Sequence, residues 1–257
     1  MPTALITGAT AGIGHTFAEQ LATSGHDLVL VARDRSRLEQ VAEELSASHG
    51  VHVEVLPADL TVRDQLAAVE RRLVDPVRPV DLLVNNAGFG LKHRFLTNSV
   101  EDEQAMLEVL VVAVLRLSHA ALGAMTARYA EGGGRGGIIN VSSVAAFLPR
   151  GTYSAAKAWV NSFSEWAHHE YAGQGVTVTA LCPGFTRTEF HSRMEVSRSS
   201  APGWMWLDAD RLVAEALADH ERGRAYSIPS RRYQVMARLA RVVPNALLQR
   251  AQAIGRR

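Results

Sequence analysis

The sequence predicts an α/β protein: one doubly wound parallel sheet of about seven strands, with helices on both faces. Short runs rich in β-branched residues alternate with longer helical segments, which is the pattern of βαβ units. A length of 257 residues suits a single large α/β domain over 1–257, and 47% apolar content supplies its core. The first strand runs through a glycine turn directly into the first helix, as a nucleotide-binding βαβ unit requires.

The elements follow in order. Thr3–Thr7 is the first strand, and Gly12–Ser24 is the helix that the glycine turn opens. Asp27–Ala32 is the second strand, and Ser36–His49 the helix that Asp34 starts. His52–Leu56 pairs with a helix over Val62–Val74, and Asp81–Val84 with a long helix over Val100–Tyr129. The glycine-rich stretch from Gly132 to Gly137 is a flexible turn rather than a phosphate loop, because no helix follows it. Gly137–Val141, Thr152–Ala172, Val176–Leu181, Asp208–Glu221 and Arg224–Ile228 complete the alternation. Two parts break it. An irregular segment at 189–207 carries Phe190, Met194, Trp204, Met205 and Trp206, and a basic helical tail covers 230–257.

Composition excludes several classes. A net charge of +1 makes no global case for nucleic acid. The single cysteine, Cys182, rules out an internal disulfide and fits a reducing compartment. No basic segment followed by an apolar run precedes the first strand, so no secretory leader is expected. The apolar stretch Met106–Leu117 reads as too short to span a bilayer and is broken by Glu108 and Arg116. A cytoplasmic location is expected, with no metal site.

In the turn Thr7-Gly8-Ala9-Thr10-Ala11-Gly12-Ile13-Gly14, glycines permit a tight bend and close approach of backbone to a pyrophosphate. The helix behind it offers free N–H groups and the positive end of its dipole. Gly8, Thr10, Gly12, Ile13 and Gly14 are therefore candidate cofactor residues. The end of the second strand indicates which dinucleotide binds. NAD-selective sites place a carboxylate there for the ribose 2′-hydroxyl, whereas an arginine accommodates a 2′-phosphate. Here Ala32 stands at the acid's place, Arg33 follows, and Asp34 belongs to the next helix. Arginine's fork suits phosphate, so NADP(H) is the expected cofactor.

Tyr153 and Lys157 are four apart in Tyr153-Ser154-Ala155-Ala156-Lys157, which puts both on one helix face. Lys157 is one of only two lysines in a chain with 25 arginines, so a compact ammonium is needed at this position. A fixed positive charge favours phenolate and lowers the tyrosine pKa from its usual value of about 10. Tyr153 then serves as general acid/base near neutrality.

With these motifs in order, the chain resembles the short-chain dehydrogenase/reductases over about residues 3–230. The resemblance rests on Thr7-Gly8-x-x-x-Gly12-x-Gly14, Asp59-Leu60, Asn85-Asn86-Ala87-Gly88, Ser142-Ser143, Tyr153-x-x-x-Lys157 and Pro183-Gly184. It implies a Rossmann fold and an NADP-dependent interconversion of carbonyl and alcohol. Ser143, Tyr153 and Lys157 are implied as catalytic residues: Ser143 bonding the substrate oxygen, Tyr153 giving it a proton, and Lys157 bonding the nicotinamide ribose. The resemblance also implies Asp59, with Leu60 beside it, at the adenine. Asn86, Ala87 and Gly88 would line the cleft, and Pro183, Gly184, Thr186 and Thr188 would close over the nicotinamide.

Two departures stand out. The family usually has an asparagine in the middle of the fourth helix, which bends it and holds a relay water, and alignment places Leu110 there. Ser143 and Tyr153 are also closer in sequence than is usual, which shortens the loop Phe147–Thr152. Leu110 keeps a rival reading open, an NADP-binding protein with weak or lost catalysis acting as a sensor or structural partner.

The segment 189–207 lies where this family builds its lid, and its aromatic residues suit a hydrophobic small-molecule substrate. In the tail, Tyr233, Met236, Leu239, Ala240 and Val243 recur at helical spacing between arginines, with Pro244 ending the run. A helix packed on the body or across a homo-oligomer interface is preferred there to peripheral contact with an anionic membrane.

Overall fold

Strands buried on both faces need near-continuous apolar runs, and Ala4-Leu5-Ile6, Leu28-Val29-Leu30-Val31 and Leu82-Leu83-Val84 provide them. In the computed structural model, which describes residues 1–93, 95–187 and 202–242, seven parallel strands lie in the order β3-β2-β1-β4-β5-β6-β7. They are β1 (Thr3–Thr7), β2 (Asp27–Ala32), β3 (Val53–Pro57), β4 (Leu82–Asn85), β5 (Gly136–Val141), β6 (Val176–Leu181) and β7 (Tyr226–Ser227). The expected seventh strand over Arg224–Ile228 is thus reduced to two residues, paired as Ala180 with Tyr226 and Leu181 with Ser227. Chain order reverses between β1 and β4, which pair with Ile6 opposite Val84.

Two cores flank the sheet. On one face α1 (Gly12–Thr23), α2 (Arg35–His49) and α7 (Ala209–Glu221) bury Phe17, Leu21, Leu38, Leu212 and Val213. On the other, α3 (Arg63–Leu73), α5 (Val114–Ala130) and α6 (Thr152–Tyr171) bury Leu66, Val69, Leu117, Ala121 and Ala167. Asp34 caps α2, its carboxylate accepting from Arg37 N–H at 3.1 Å and from the Ser36 hydroxyl at 2.8 Å.

The long helix expected over Val100–Tyr129 is not uniform. It runs as α4 (Val100–Leu107), a π-helical turn (Glu108–Ala113) and then α5. By length and composition, Val100–Ala130 would suffice to cross a membrane, so the shorter reading of this stretch is corrected. Half of its most apolar window is buried inside the protein, and α5 packs on α3, β4 and β5 as a core helix does.

The tail forms α8 (Arg231–Val242), packed against the 3-10 turn Val144–Phe147. The apolar stripe expected of this helix divides in two. Tyr233 and Ala237 turn into the core, whereas Met236 and Leu239 face outward. Of the segment 189–207, the described part bears a short 3-10 turn, Gly203–Met205. Met205 and Leu207 are buried there, Trp206 packs on Phe185, and Trp204 is exposed. Phe190 and Met194 lie outside the described residues, as do Val243 and Pro244.

Candidate active site

Open α/β sheets bind ligands beyond the carboxyl ends of their strands, where the strand order reverses. Here that place lies between β1 and β4. A Cβ at Gly14 would stand 2.3 Å from both the Gly8 carbonyl oxygen and Asn86 Nδ2, and one at Gly8 would stand 3.0 Å from Ala87 Cα. Gly8 also holds φ +68, a conformation that side chains disfavour. No side chain caps the first turn of α1, so its N–H groups are free for an anion. Gly8, Thr10, Gly12, Ile13 and Gly14 together form a cradle that fits a dinucleotide pyrophosphate.

Asn86 and Ala87 hold this turn from β4. Both backbone N–H groups donate to the Thr7 hydroxyl at 3.0 Å, and Asn86 Nδ2 donates to the Thr7 and Gly8 carbonyls at 2.9 and 3.2 Å. Asn85 instead starts a buried chain across the sheet. Its amide donates to Ser118 and to Asn140, whose own amide reaches Ser164, and so ties α5 to α6.

At the end of β2, Ala32 is followed by exposed Arg33, and Asp34 caps α2 through Oδ1. Asp59 follows β3. Burial pushes its carboxyl up, but the Thr61 N–H and hydroxyl, with Arg33 nearby, pull it below the usual range. Its Oδ1 accepts both Thr61 groups, so Oδ2 is the oxygen left to meet an adenine amino group. Leu60 is buried in the core and contributes packing.

The serine pair divides by role. Ser142 is buried and donates to the Lys157 carbonyl at 3.0 Å, joining β5 to α6. Ser143 starts the following 3-10 turn, accepting from Ala145 N–H at 3.1 Å, and its hydroxyl bonds the Tyr153 phenol. Tyr153 and Lys157 do share a helix face, with the ammonium 5.8 Å from the ring centroid.

The expectation that Lys157 lowers the phenol's pKa is corrected. Burial raises Tyr153 to about 12 against a smaller downward pull from Ser143. Burial also lowers Lys157 to about 8, partly offset by Cys182. The geometry gives the reason. Lys157 Nζ reaches past the ring to donate to the Val141 carbonyl at 2.7 Å, while desolvation penalises each charged form separately. At neutral pH the phenol keeps its proton and the lysine keeps most of its charge.

Leu110 lies within the π-helical turn and is 1% exposed. The π-turn therefore forms without an asparagine, and π-turns of this kind recur at functional sites. Leu110 packs with Met106 and Ala156 and against Tyr153. A Cβ at Gly88 would lie 2.8 Å from Leu110 Cδ2 and 3.9 Å from Lys157 Nζ, so the leucine methyl and the ammonium both lie near this glycine.

Two contacts had no sequence signal. Buried Glu103 accepts from the Thr152 hydroxyl at 2.5 Å and from the Asn98 amide at 2.8 Å, clamping the residue before Tyr153. An acid in a helix's first turn ordinarily reads as a partner of its dipole, which hides this role. Tyr233 packs on Gly184, where a Cβ would sit 2.1 Å from the ring, and its hydroxyl bonds Phe185 N–H and the Met205 carbonyl. The tail thereby supports the turn at Pro183 and Gly184. Thr186 is buried with its hydroxyl on the Gly184 carbonyl, and Thr188 lies outside the described residues.

The pattern of the short chain dehydrogenases matches residues 2–198. A short-chain dehydrogenase from Sphingobium yanoikuyae in complex with NADPH superimposes with a TM-score of 0.85 at 36% identity, covering 98% of this chain and 96% of that one. The bulky-bulky ketone specific alcohol dehydrogenase of Comamonas testosteroni gives 0.79 at 33% identity, covering 94% and 93%. Sulfoacetaldehyde reductase 2 of Chromohalobacter salexigens is 34% identical over 221 residues, 84% of each chain. With the cradle, the cleft and the serine–tyrosine–lysine set in place, this chain belongs to the short-chain dehydrogenase family, and it is an NAD(P)H-binding oxidoreductase acting on CH–OH and C=O groups.

Proposed function

We propose that the protein interconverts a hydrophobic ketone or aldehyde and its alcohol with NADP(H), using Tyr153 as the acid/base. The observation that carries this reading is the hydrogen bond between the Ser143 and Tyr153 hydroxyls beside Lys157. The nicotinamide supplies or accepts the hydride. Ser143 and Tyr153 present two O–H donors to one carbonyl oxygen, a small preorganised site for developing negative charge. Tyr153 passes its proton to that oxygen in reduction and takes it back in oxidation. Lys157, held by the Val141 carbonyl beside the phenol, would bond the nicotinamide ribose.

NADP(H) is favoured by exposed Arg33 and by Ala32 standing at the place of the selective acid. A neighbour solved with NADPH supports the same choice. Hydrophobic substrates are supported by Trp206 and Phe185 packed together after Gly184, and by the similarity to a dehydrogenase of bulky ketones.

A second reading, NADP binding with weak catalysis, is favoured by Leu110, a buried apolar residue near the lysine that offers no polar group for a relay water. Turnover separates the two. A screen of bulky ketones, small aldehydes and their alcohols, followed by NADPH absorbance, should find substrates whose reduction Tyr153→Phe abolishes. NADPH affinity should stay nearly intact in that variant. A phenylalanine variant that kept most of its rate would remove Tyr153 from the role.

A homo-oligomer is supported by apolar side chains left at the surface of adjoining helices, Leu107 and Leu115 on α4 and α5 and Trp166 on α6. Sedimentation velocity checks it. A cytoplasmic location suits the lone buried thiol of Cys182, and fractionation of cells checks that.

A further inference from the structure

Helix α8 presents two unlike faces. Tyr233 and Ala237 are anchored in the core, while Arg232, Val235, Met236 and Leu239, spaced three and four apart, form one outward stripe. Val235, Met236 and Leu239 are 53%, 42% and 55% exposed, and Trp204 is 60% exposed. The Arg232 guanidinium lies 5.9 Å from the Trp204 ring centroid, which joins Trp204 to the first residue of the stripe. Large apolar side chains gathered in this way mark a contact surface rather than ordinary scatter.

The charge that the tail itself brings to the patch is of one sign. From Arg222 to the last residue the sequence holds nine arginines and no acid, although the chain as a whole is nearly neutral. Arg231 and Arg238 are exposed on the same helix, and Arg232 Nε bonds the Ser230 hydroxyl rather than a carboxylate. A second copy docked here about a two-fold axis would set the tail's arginines against one another, while Glu215, which accepts from Ser230 N–H at 3.2 Å, brings an acid to the start of the helix rather than to the apolar stripe. An anionic lipid surface meets both demands. Apolar side chains enter the boundary of headgroup and acyl chain, arginines meet phosphates, and tryptophan favours that depth.

We propose that α8 and Trp204 form a docking face for an anionic phospholipid surface. Its position suits the activity inferred above, since α8 packs on the turn that follows Ser143 and Tyr233 supports Gly184. The docked protein would hold its substrate opening near a reservoir of apolar carbonyl compounds. That benefit rests on the proposed substrate class; the docking does not.

The test is flotation of the full chain with vesicles of phosphatidylcholine, with and without phosphatidylglycerol. The protein should float with the anionic vesicles only and be released by high salt. Arg232→Ser should weaken partition about fivefold, the usual effect of one arginine near such a surface. The double variant Val235→Asp/Leu239→Asp should remain unbound while keeping its melting temperature and NADPH affinity. Brominated lipid should quench tryptophan fluorescence, and less so in Trp204→Phe, which keeps the test alive if the double variant fails to fold. Failure to float, equal binding to neutral vesicles, or wild-type binding by the double variant overturns the proposal. Dissociation of an oligomer by the double variant, without vesicle binding by the parent, assigns the face to a second copy and overturns it as well. None of these readouts depends on turnover, so a failed substrate screen leaves the result intact.

Discussion

Replacing Leu110 by asparagine separates two accounts of how this active site works without the family's relay residue. Leu110 is 1% exposed and packs with Met106, Ala156 and Tyr153, and its Cδ2 lies near Gly88 on the side that faces Lys157. In the first account the π-turn has repacked around leucine. The variant then loses most of a buried side chain's packing and gains a buried amide lacking partners, which alone costs about 1–3 kcal/mol. Leu→Ala at buried sites costs about 2–5 kcal/mol, and asparagine refills part of that volume. A net loss of about 2–4 kcal/mol follows, or roughly 4–16 °C in melting temperature for a chain of this size.

In the second account the amide recruits a water bonded to Lys157, whose three donors have the Val141 carbonyl as a fixed partner. The burial that lowers Lys157 to about 8 would then be relieved. Its pKa would move back up, and proton-limited turnover would rise with little loss of stability. The apolar neighbours Met106 and Ala156 favour the first outcome. Thermal melts, with rate-against-pH profiles for parent and variant, decide between them. A faster enzyme with an unchanged melting temperature refutes the repacking argument.

Three further outcomes are expected. Arg33→Ala should weaken NADP binding by about 1.5–3 kcal/mol, or one to two orders of magnitude, and leave NAD nearly unaffected; equal losses for both dinucleotides in a titration would show that Arg33 does not read the 2′-phosphate. Gly14→Ala must push a Cβ against the Gly8 carbonyl and Asn86, so it should destabilise by about 1–3 kcal/mol. Its dinucleotide affinity should fall more than tenfold, and a variant that melts and binds like the parent would contradict the described turn. His220 bonds Thr179, and burial, aided by His168, lowers its pKa to about 4. The unfolded chain titrates near 6.5, so this contribution is whole above that value and is lost as pH falls toward 4, by at most about 3 kcal/mol. Denaturation at about pH 7 and about pH 5 should show a smaller acid loss in His220→Gln than in the parent; equal losses would remove His220 from the account.

Features that depend on near neighbours in sequence were legible before the structure. Strand β1, its glycine turn and the start of α1 at Gly12 form one short unit, so spacing alone identifies them. Asp34 is a cap because its carboxylate is three residues from the N–H it accepts. Tyr153 and Lys157 share a face because the helix brings every fourth residue round.

What depends on distant partners and on burial needed the fold. Adjacent serines were told apart only when Ser142 met the Lys157 carbonyl and Ser143 met the phenol. Glu103 acquired its role only by packing against Thr152, and Tyr233 only by lying on Gly184. For α8, apolar spacing could not say which positions turn inward, because that choice belongs to the surface the helix lands on. Most plainly, sequence proximity pointed to a phenol made acidic by its lysine, whereas burial raised the one pKa and lowered the other. The sequence alone determined the sheet's βαβ alternation, the cofactor turn and the identity of the reacting groups, since each is local. The tertiary structure decided their electrostatics and supports, because desolvation and long-range contact exist only once distant segments pack together.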